Sequence, residues 1–332
     1  MWNRTSSAQR ARGLLITSFF ALICAPLLAA AGEELSRFEA VEPHMGTLFR
    51  ITLYASGPES ARDAFAAAFD RIRQLDQKLS DYNSASELMQ VCREAHRHPV
   101  EVSADLFTVL AAAQKLSAET EGAFDVTLGP VIRLWREARR DHRLPDQERV
   151  KAAGRRCGFR NLVLEASRRT VFLKLDGMQL DLGAIAKGYA ADEALRVLRT
   201  RGIARALVAA SGDLAIGDAP PGKDGWRVGA GSRDRVIIVR NQAVSTSGDS
   251  EQFLESGGRR YSHIIDPVTL TGLTSGITVT VVAKRGLDAD PLATAVSVLG
   301  AERGMKFIES QPGASARIAT PAGVRESTGF PR

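Results

Sequence analysis

The stretch DLGAIAKGYA, residues 181–190, joins a short strand expected at residues 178–182 to a helix led by Lys187. Gly183 and Ala184 are small enough for a ligand to approach the backbone, and the first turn of the helix offers unpaired N–H groups. Lys187 adds a positive charge at the same place. The pattern predicts a phosphate site, and a packed turn with a solvated lysine remains the alternative.

The N-terminal segment is typical of a secretory signal peptide. Three arginines precede an uncharged apolar run at residues 14–28, and residues 29–31 are the small Ala-Ala-Ala of a cleavage site. A membrane anchor is the competing interpretation, but a spanning helix needs about 20 apolar residues, and Pro26 interrupts the run. We expect residues 1–31 to be removed, leaving residues 32–332 as a single exported domain without stable membrane insertion.

The composition is that of an ordinary globular protein, with 44% hydrophobic and 25% charged residues among 332. Removal of residues 1–31 takes away three arginines and no acidic residue, so the formal net charge falls from +6 to +3. Without a basic run interleaved with aromatics, this charge does not support nucleic-acid binding. Cys92 and Cys157 could form one disulfide or stay free, and no C-x-x-C or H-E-x-x-H pattern suggests zinc.

The apolar periodicity predicts a mixed α and β organisation without an internal repeat. Strands are expected at residues 48–54, at residues 162–182 around a turn at Asp176-Gly177, and within residues 203–282. Helices are expected at residues 60–79, at residues 105–119 with Ser103 as the cap, and from near Pro291 and Ala301. A further helix carries Trp135, and we interpret its arginines as a solvated face: Arg136, Arg139, Arg140 and Arg143.

Asp290 and Thr294 are four residues apart at the expected start of a helix at residues 291–299. A carboxylate and a hydroxyl at this spacing project from the same side of a helix within about one turn. Mg²⁺ prefers such oxygen ligands and often bridges a protein to substrate phosphates. The pair therefore suggests a magnesium site, and an Asp N-cap followed by an ordinary threonine is the alternative.

His263, in YSHIIDP, lies between an apolar strand and the Asp266-Pro267 turn. Its ordinary pKa lies near neutral pH, so it suits a general base that takes a proton from a weak hydroxyl nucleophile. A histidine satisfied within the protein is the alternative. The hydroxyl-rich segment STSGDSEQF, residues 245–253, precedes it and could hold substrate phosphates or only turn the chain.

Taken in order, these motifs resemble the ApbE family, the FAD:protein FMN transferases of the bacterial periplasm and cell surface. The resemblance runs through MGTLF, LSDYNSASEL, GAFDVTLGP, LDLGAIAKGYA, SGDL, STSGD, HIIDP and DADPLATAVSVLG, and covers almost the whole chain after residue 45. It implies an α+β fold with mixed sheets and flanking helices, with FAD bound in a cleft. It also implies a periplasmic location and a Mg²⁺ cofactor.

The resemblance implies which residues contact FAD. Met45 and Tyr82 would lie at the flavin end, with Tyr82 packed on the isoalloxazine ring. The other implied FAD contacts are Ala123, Phe124, Asp125, Asp181, Lys187 and Ile264.

The resemblance also implies the metal ligands and the base. The carbonyl of Ala184 would join Asp290 and Thr294 as ligands of Mg²⁺, and His263 is similar to the family's proposed base. Attack on a pyrophosphate needs charge neutralisation and a base for the incoming hydroxyl, which agrees with these roles.

The sequence departs from the family pattern in three places. Ser211 stands in SGDL where glycine is usual, Pro291 follows the metal aspartate, and DPVTLTG is two residues longer than the usual DPxTG. Proline fits a first helical turn. The longer loop follows His263 and could alter which acceptor protein is accepted.

The expected reaction is transfer of FMN from FAD to a threonine or serine hydroxyl of an exported or membrane-bound target flavoprotein, with release of AMP. FAD pyrophosphatase activity is one alternative, against which Tyr82 argues, because in the family a different residue at that contact accompanies hydrolysis. The other is a periplasmic protein for electron transfer that binds FAD without cleaving it.

Overall fold

A computed structural model describes residues 34–231, 235–248 and 252–332, and its largest feature is an eight-stranded antiparallel sheet. In chain order the strands are β1 (Ser36–His44), β2 (Thr47–Ala55), β3 (Val100–Glu101), β4 (Leu162–Glu165), β5 (Thr170–Leu173), β6 (Ala206–Ala210), β7 (Asp213–Ile216), β8 (Trp226–Gly229), β9 (Val236–Val239), β10 (Ala243–Ser247), β11 (Phe253–Ser256), β12 (Arg259–Ser262), β13 (Ile265–Asp266), β14 (Thr271–Gly272), β15 (Thr278–Ala283), β16 (Ser315–Thr320) and β17 (Gly323–Glu326). The helices are α1 (Pro58–Leu79), α2 (Glu87–Glu94), α3 (Ala104–Glu119), α4 (Gly129–Arg140), α5 (Gln147–Gly154), α6 (Ala186–Thr200) and α7 (Gly286–Glu309).

The large sheet has the strand order β1-β2-β6-β7-β10-β15-β16-β17, and every neighbouring pair in it is antiparallel. Helices α1, α6 and α7 pack on one another, and α6 and α7 pack on its central strands. The smaller sheets β3-β5-β4, β8-β9, β11-β12 and β13-β14 are antiparallel as well. The predicted α+β class is confirmed, and the strands of the described residues pair without the parallel ladders of a mixed sheet.

The periodic elements form where the sequence predicts them. In β2 the alternate residues Phe49, Ile51 and Leu53 are fully buried, as expected for one face of a sheet. In α1 the buried residues recur at helical spacing from Ala61 to Leu79. Ser103 caps α3, because its hydroxyl accepts a hydrogen bond from the N–H of Leu106 at 3.3 Å.

Two predicted boundaries in the middle of the chain are wrong. Strands β4 and β5 pair around residues 166–169, where Arg169 has a φ of +49°, and not around Asp176-Gly177. Residues 178–182 are extended but form only one bridge, between Gln179 and Leu128. The backbone N–H groups of Leu180 and Asp181 instead bond to Cys92 Sγ and to the Val126 carbonyl, so this segment is fixed by loops rather than by a sheet.

The last helix begins earlier than predicted. Helix α7 starts at Gly286 because the carboxylate of Asp192 accepts hydrogen bonds from the Gly286 and Leu287 N–H groups at 2.8 and 2.9 Å. Asp290 is therefore inside the helix rather than at its N-cap, and Pro291 follows it beyond the first turn. The predicted second start near residue 301 corresponds to a break at Gly300, which has a φ of +78°.

The first turns of α6 and α7 meet at two glycines. A Cβ atom on Gly188 would lie 2.1 Å from the Gly286 carbonyl oxygen, and one on Gly286 would lie 2.3 Å from the Gly188 oxygen. The two backbones can approach this closely only because neither residue has a side chain. This contact sets Asp290 of α7 against the start of α6.

We predict that Gly188→Ala lowers the free energy of unfolding by about 1–3 kcal/mol or more, because the added methyl group has no room between the helices. Urea unfolding measures this effect. Gly57→Ala is the control, since nothing lies within 4 Å of a Cβ atom at that position and its φ is extended. Equal destabilisation by the two substitutions would contradict the tight crossing.

The predicted signal peptide and its cleavage site lie outside the described residues, which group from Leu35 onward into one compact unit. No helix in the described part of the chain has the length and apolar character to cross a membrane.

Cys92 and Cys157 are both free thiols. Burial raises the pKa of Cys92 to about 11 and that of Cys157 to about 12, so neither is a reactive thiolate at neutral pH.

Candidate active site

One cleft of about 920 Å³ collects the residues that the sequence singled out. It lies among the first turns of α6 and α7, one side of α4, the end of α1 and the segment that joins β12 to β13. All twelve predicted site residues line it. These are Met45, Tyr82, Ala123, Phe124, Asp125, Asp181, Ala184, Lys187, His263, Ile264, Asp290 and Thr294.

Asp290 is buried on α7 and contacts the first turn of α6. Its Oδ2 accepts a hydrogen bond from the Gly188 N–H at 3.1 Å and lies 3.5 Å from Lys187 Nζ. Lys187 Nζ also lies 3.0 Å from Asp213 Oδ2 and donates to the Gly183 carbonyl at 2.6 Å. When both carboxylates are ionised, they and the one ammonium carry a net charge of −1, which favours a cation at this end of the cleft.

The electrostatics of this group follow from its burial. Burial raises the pKa of Asp290, and the nearby Asp213 carboxylate raises it further. Burial alone would lower the pKa of Lys187, but Asp213 and Asp290 raise it above its ordinary value. Lys187 is therefore cationic at neutral pH.

The backbone at Ala184 offers a further oxygen. In a regular helix its carbonyl would accept from the N–H of Gly188, but that N–H points to Asp290. No other described residue donates a hydrogen bond to this carbonyl. With Asp290 and Thr294, which follows one turn later on α7, it makes a set of hard oxygen donors of the kind that Mg²⁺ prefers.

This donor set suits a metal that shares its coordination with water or substrate. No group of three or more His, Cys, Asp or Glu side chains within residues 34–231, 235–248 and 252–332 could hold a metal ion. Mg²⁺ is commonly bound by one or two carboxylates, with waters and phosphate oxygens as the other ligands. The residues present therefore fit magnesium better than zinc.

His263 lies in the cleft between β12 and β13 as a neutral imidazole. Its Nδ1 is 3.2 Å from the Gln252 carbonyl oxygen. Because a carbonyl oxygen only accepts, Nδ1 carries the proton, and Nε2 has a free lone pair. Burial lowers the pKa of His263 to about 4, with a further contribution from nearby cations. The side chain can thus accept a proton at neutral pH.

The hairpin that carries His263 is held against α4. Trp135 Nε1 donates to the Leu270 carbonyl at 3.0 Å, and the Trp135 ring packs on Tyr261 at 5.6 Å between centroids. Leu270 has a φ of +58° and packs on Gly154 of α5. The longer loop of DPVTLTG is therefore anchored to two helices, while Val268 is 90% exposed.

Arg136 of α4 organises the part of the cleft around Tyr82. Its guanidinium donates to the Asp81 carboxylate and, at 2.7 Å, to Asp181 Oδ2. Its Cζ lies 4.5 Å from the centroid of the Tyr82 ring, a cation–π contact. Tyr82 is 68% exposed, so the face of its ring is available for stacking. Burial and the neighbouring Asp181 raise the pKa of Asp81 to about 6.

The interpretation of the α4 arginines as a solvated face is half wrong. Arg140 and Arg143 are exposed, as expected, but Arg136 and Arg139 are half-buried and line the cleft. Arg136 and Arg139 are three residues apart, so they lie on the same side of α4. Leu134 and Trp135 are buried in the core, and this packing fixes the orientation of the helix with the two arginines toward the cleft. A count of charges in the sequence does not reveal which arginines have acidic partners.

Two of the residues predicted to contact FAD form hydrogen bonds within the protein through their carboxylate oxygens. Asp125 accepts hydrogen bonds from Thr127 and from the Phe159 N–H at 2.9 Å, which fixes the loop after α3. Asp181 accepts from the Gly183 N–H at 2.9 Å as well as from Arg136. Both carboxylates position the cleft wall, and their contacts with FAD stay predictions.

Sequence reasoning missed four charged residues of the cleft. Asp213 completes the charged group around Lys187, and its Oδ1 accepts from Ser245 Oγ at 2.5 Å. Asp213 belongs to SGDL and Asp81 to LSDYNSASEL, so the motifs contained a signal for both. Arg136 and Arg139 gave no local signal.

We predict that Arg136→Met destabilises the protein by about 3–5 kcal/mol at neutral pH, because it leaves the buried Asp81 and Asp181 without their cation. Burial already raises the pKa of Asp81 to about 6, and loss of the cation removes a group that lowers it. The penalty is therefore present above the unfolded pKa of about 3.9 and is relieved as the pH falls through the raised folded pKa. Urea unfolding at pH 8 and pH 5 measures it. Arg133→Met, at an exposed position of the same helix, is the control.

The comparisons with known proteins agree with this fold. Solved structures that share the fold are flavin transferases: ApbE from Vibrio cholerae has a TM-score of 0.79 at 30% identity, over 90% of this chain and 99% of that one. The flavinyl transferase ApbE of Pseudomonas stutzeri, in its apo form, has a TM-score of 0.78 at 28% identity, over 89% and 95%. The chain belongs to the ApbE family, whose sequence profile matches residues 45–318. A FAD:protein FMN transferase of Treponema pallidum is 36% identical, over 90% of this chain and 88% of the relative.

Proposed function

We propose that this enzyme is a FAD:protein FMN transferase that moves FMN from FAD to a threonine or serine hydroxyl of a target protein, with Mg²⁺ as cofactor and AMP as the other product. The names of its relatives support the activity. One observation of the cleft carries the proposal: a neutral histidine with a free Nε2 shares a single cavity with a net negative group of oxygen ligands. The first suits proton removal from a hydroxyl, and the second suits a metal that binds a pyrophosphate.

Asp290, Thr294 and the Ala184 carbonyl would hold Mg²⁺. When bound, the ion would neutralise charge on the phosphate oxygens and favour departure of AMP. Lys187 donates from the same end of the cleft, and its contact with Asp213 keeps the ammonium in place.

The reaction breaks the phosphoanhydride bond of FAD and forms one phosphoester bond to the acceptor. The acceptor oxygen forms a bond to the phosphorus of the FMN half, while the bond from that phosphorus to the bridging oxygen breaks and AMP leaves with its electron pair. His263 Nε2 takes the proton of the attacking hydroxyl. His263 can do so at neutral pH because burial and nearby cations keep it unprotonated.

The substrate would lie along the cleft with the isoalloxazine ring on Tyr82. The half-buried Met45, the buried Phe124 and the exposed ring of Tyr82 supply the apolar surface for it. Ala123 and Ile264 would complete the wall. The pyrophosphate would then lie between His263 and the group around Asp290.

An exported or membrane-bound flavoprotein is the acceptor we propose, and the periplasm is the compartment. The support for export is the sequence of residues 1–31, with its arginines, apolar run and small residues. The exposed loop at Val268 lies near the base and is where an acceptor would approach.

The test is release of AMP and FMN from FAD by the purified protein, with and without Mg²⁺, in the presence of co-expressed periplasmic proteins separated on a gel. A fluorescent acceptor band together with Mg²⁺-dependent AMP release is the expected result. Free FMN without a labelled band would replace the proposal by FAD hydrolysis. Intact bound FAD would replace it by a carrier role.

A further inference from the structure

Arg139 is the cation in the cleft that the proposed mechanism does not use. It follows Arg136 by three residues on α4, so the two guanidinium groups lie on the same side of the helix, and both line the cleft. Their environments differ. Arg136 bonds to Asp81 and Asp181, whereas the guanidinium of Arg139 forms no hydrogen bond or ion pair with another described residue.

The donors of Arg139 need an acceptor. Its Nη1 is buried and has no hydrogen-bond partner, although it carries hydrogens of a permanently charged group. Burial and the neighbouring Arg136 lower the pKa of Arg139, which means that both oppose its charge. A half-buried cation without a partner is costly to a protein, and an anionic ligand at this place would offset that cost.

Arg139 acts electrostatically on groups in two parts of the cleft. The groups that act on it are Arg136, Tyr82 and Asp181, which lie in the part of the cleft around Tyr82. It also acts on His263, and among the three cations that lower the pKa of that base, Arg139 has the largest effect. Arg139 therefore lines the same cleft as Tyr82 and His263 and is near enough to act on both.

This position matches the phosphate of the FMN half rather than the adenosine half of FAD. If the ring lies on Tyr82 and the base acts on the FMN phosphorus, the group between them is the ribityl chain with its phosphate. A guanidinium recognises phosphate through paired N–H donors, and this geometry is typical of arginine. Lys187 lies with the carboxylates of Asp213 and Asp290, so its charge is already compensated.

We propose that Arg139 binds the phosphate of the FMN half of FAD and holds it beside His263. This inference rests on the proposed function, because it takes the orientation of FAD from it. Arg139 would keep this contact while the bond to AMP breaks, so the product FMN phosphate would be bound by it as well.

The experiment compares Arg139→Met with Arg140→Met, the exposed neighbour on the same helix, in the full protein. Affinities for FAD, FMN, riboflavin and AMP are measured by titration calorimetry without Mg²⁺ and without an acceptor. We expect Arg139→Met to weaken FAD and FMN binding by about 10- to 100-fold, the range of a lost hydrogen bond to a charged group. Riboflavin and AMP affinities should be unchanged, and Arg140→Met should match the wild type for all four ligands.

Arg139→Lys keeps the charge but not the paired donors, and we expect it to recover only part of the FMN affinity. Thermal unfolding shows that the variants are folded, and Arg139→Met should not lower the Tm, since it removes an unpaired cation.

Three results would overturn the inference. Equal losses of riboflavin and FMN affinity would assign Arg139 to the flavin ring. Unchanged flavin affinities with a raised KM for an acceptor protein would assign it to the acceptor, and unchanged values throughout would leave it without a binding role. Each of these results is compatible with flavin transfer by the wild type, whereas absence of transfer by the wild type would overturn the proposed function itself.

Discussion

Asp290→Asn should reduce Mg²⁺-dependent AMP release by roughly 10²- to 10³-fold, because the charge stabilisation supplied by a bound metal amounts to several kcal/mol. The amide has the size of the carboxylate and can still accept the hydrogen bond from the Gly188 N–H. The change therefore removes the anionic ligand while the α6–α7 contact is kept. Rates measured over a range of Mg²⁺ concentrations should also show a weaker apparent affinity for the metal.

The control for this substitution is Asp288→Asn, on the same helix two residues earlier. Asp288 pairs with Arg285 at 2.6 Å at the surface and does not line the cleft. We expect wild-type rates and wild-type Mg²⁺ dependence from it. Full Mg²⁺-dependent turnover by Asp290→Asn would eliminate Asp290 as a metal ligand.

His263→Gln should lower the rate of FMN transfer by roughly 10²- to 10⁴-fold, the usual contribution of a general base. Glutamine can still bond to the Gln252 carbonyl through its amide, but it cannot take a proton. FAD affinity should change little, so the loss should appear in kcat rather than in KM. His98→Gln is the control, since His98 is exposed and does not line the cleft.

The pH dependence of the wild type gives a second readout of the same base. A histidine with an ordinary pKa of about 6.5 would lose half of its basic form at that pH. The pKa of His263 is lowered to about 4, so its neutral form persists as the pH falls. Arg139, Lys187 and Arg136 face it and produce part of this effect. We therefore expect kcat/KM of the wild type not to fall as the pH drops through 6.5. A fall near pH 6.5 in the wild type that disappears in His263→Gln would contradict a buried neutral base.

The elements with a strong apolar period could be predicted from the sequence almost to the residue. Helix α1 and strand β2 are examples, since each buries one face and the spacing of apolar residues records which face it is. The class of fold followed from the same signals. The start of α7 and the unpaired extended segment at residues 178–182 could not be predicted, because Asp192 and Cys92 fix them through contacts distant in sequence.

The residues of the candidate site also fall into those that the sequence reveals and those that only the fold reveals. Lys187, Asp290 and His263 carry chemistry that short motifs reveal, and all three line one cleft. Asp213 and Arg136 act through partners on other elements, so their places became visible only when those elements were packed together. The sequence identified groups that could react, and the fold decided which of them are charged, paired or free.

The sequence by itself determined the apolar faces, the order of the motifs and the types of reactive side chain, because these are local properties of the chain. Only the tertiary structure decided that Gly188 and Gly286 bring two helix starts into contact, and that Arg136 is paired while Arg139 is not. Close backbone approach and burial of charge depend on residues far apart in sequence. Their energies arise only when the elements are packed, and the function of the cleft depends on them.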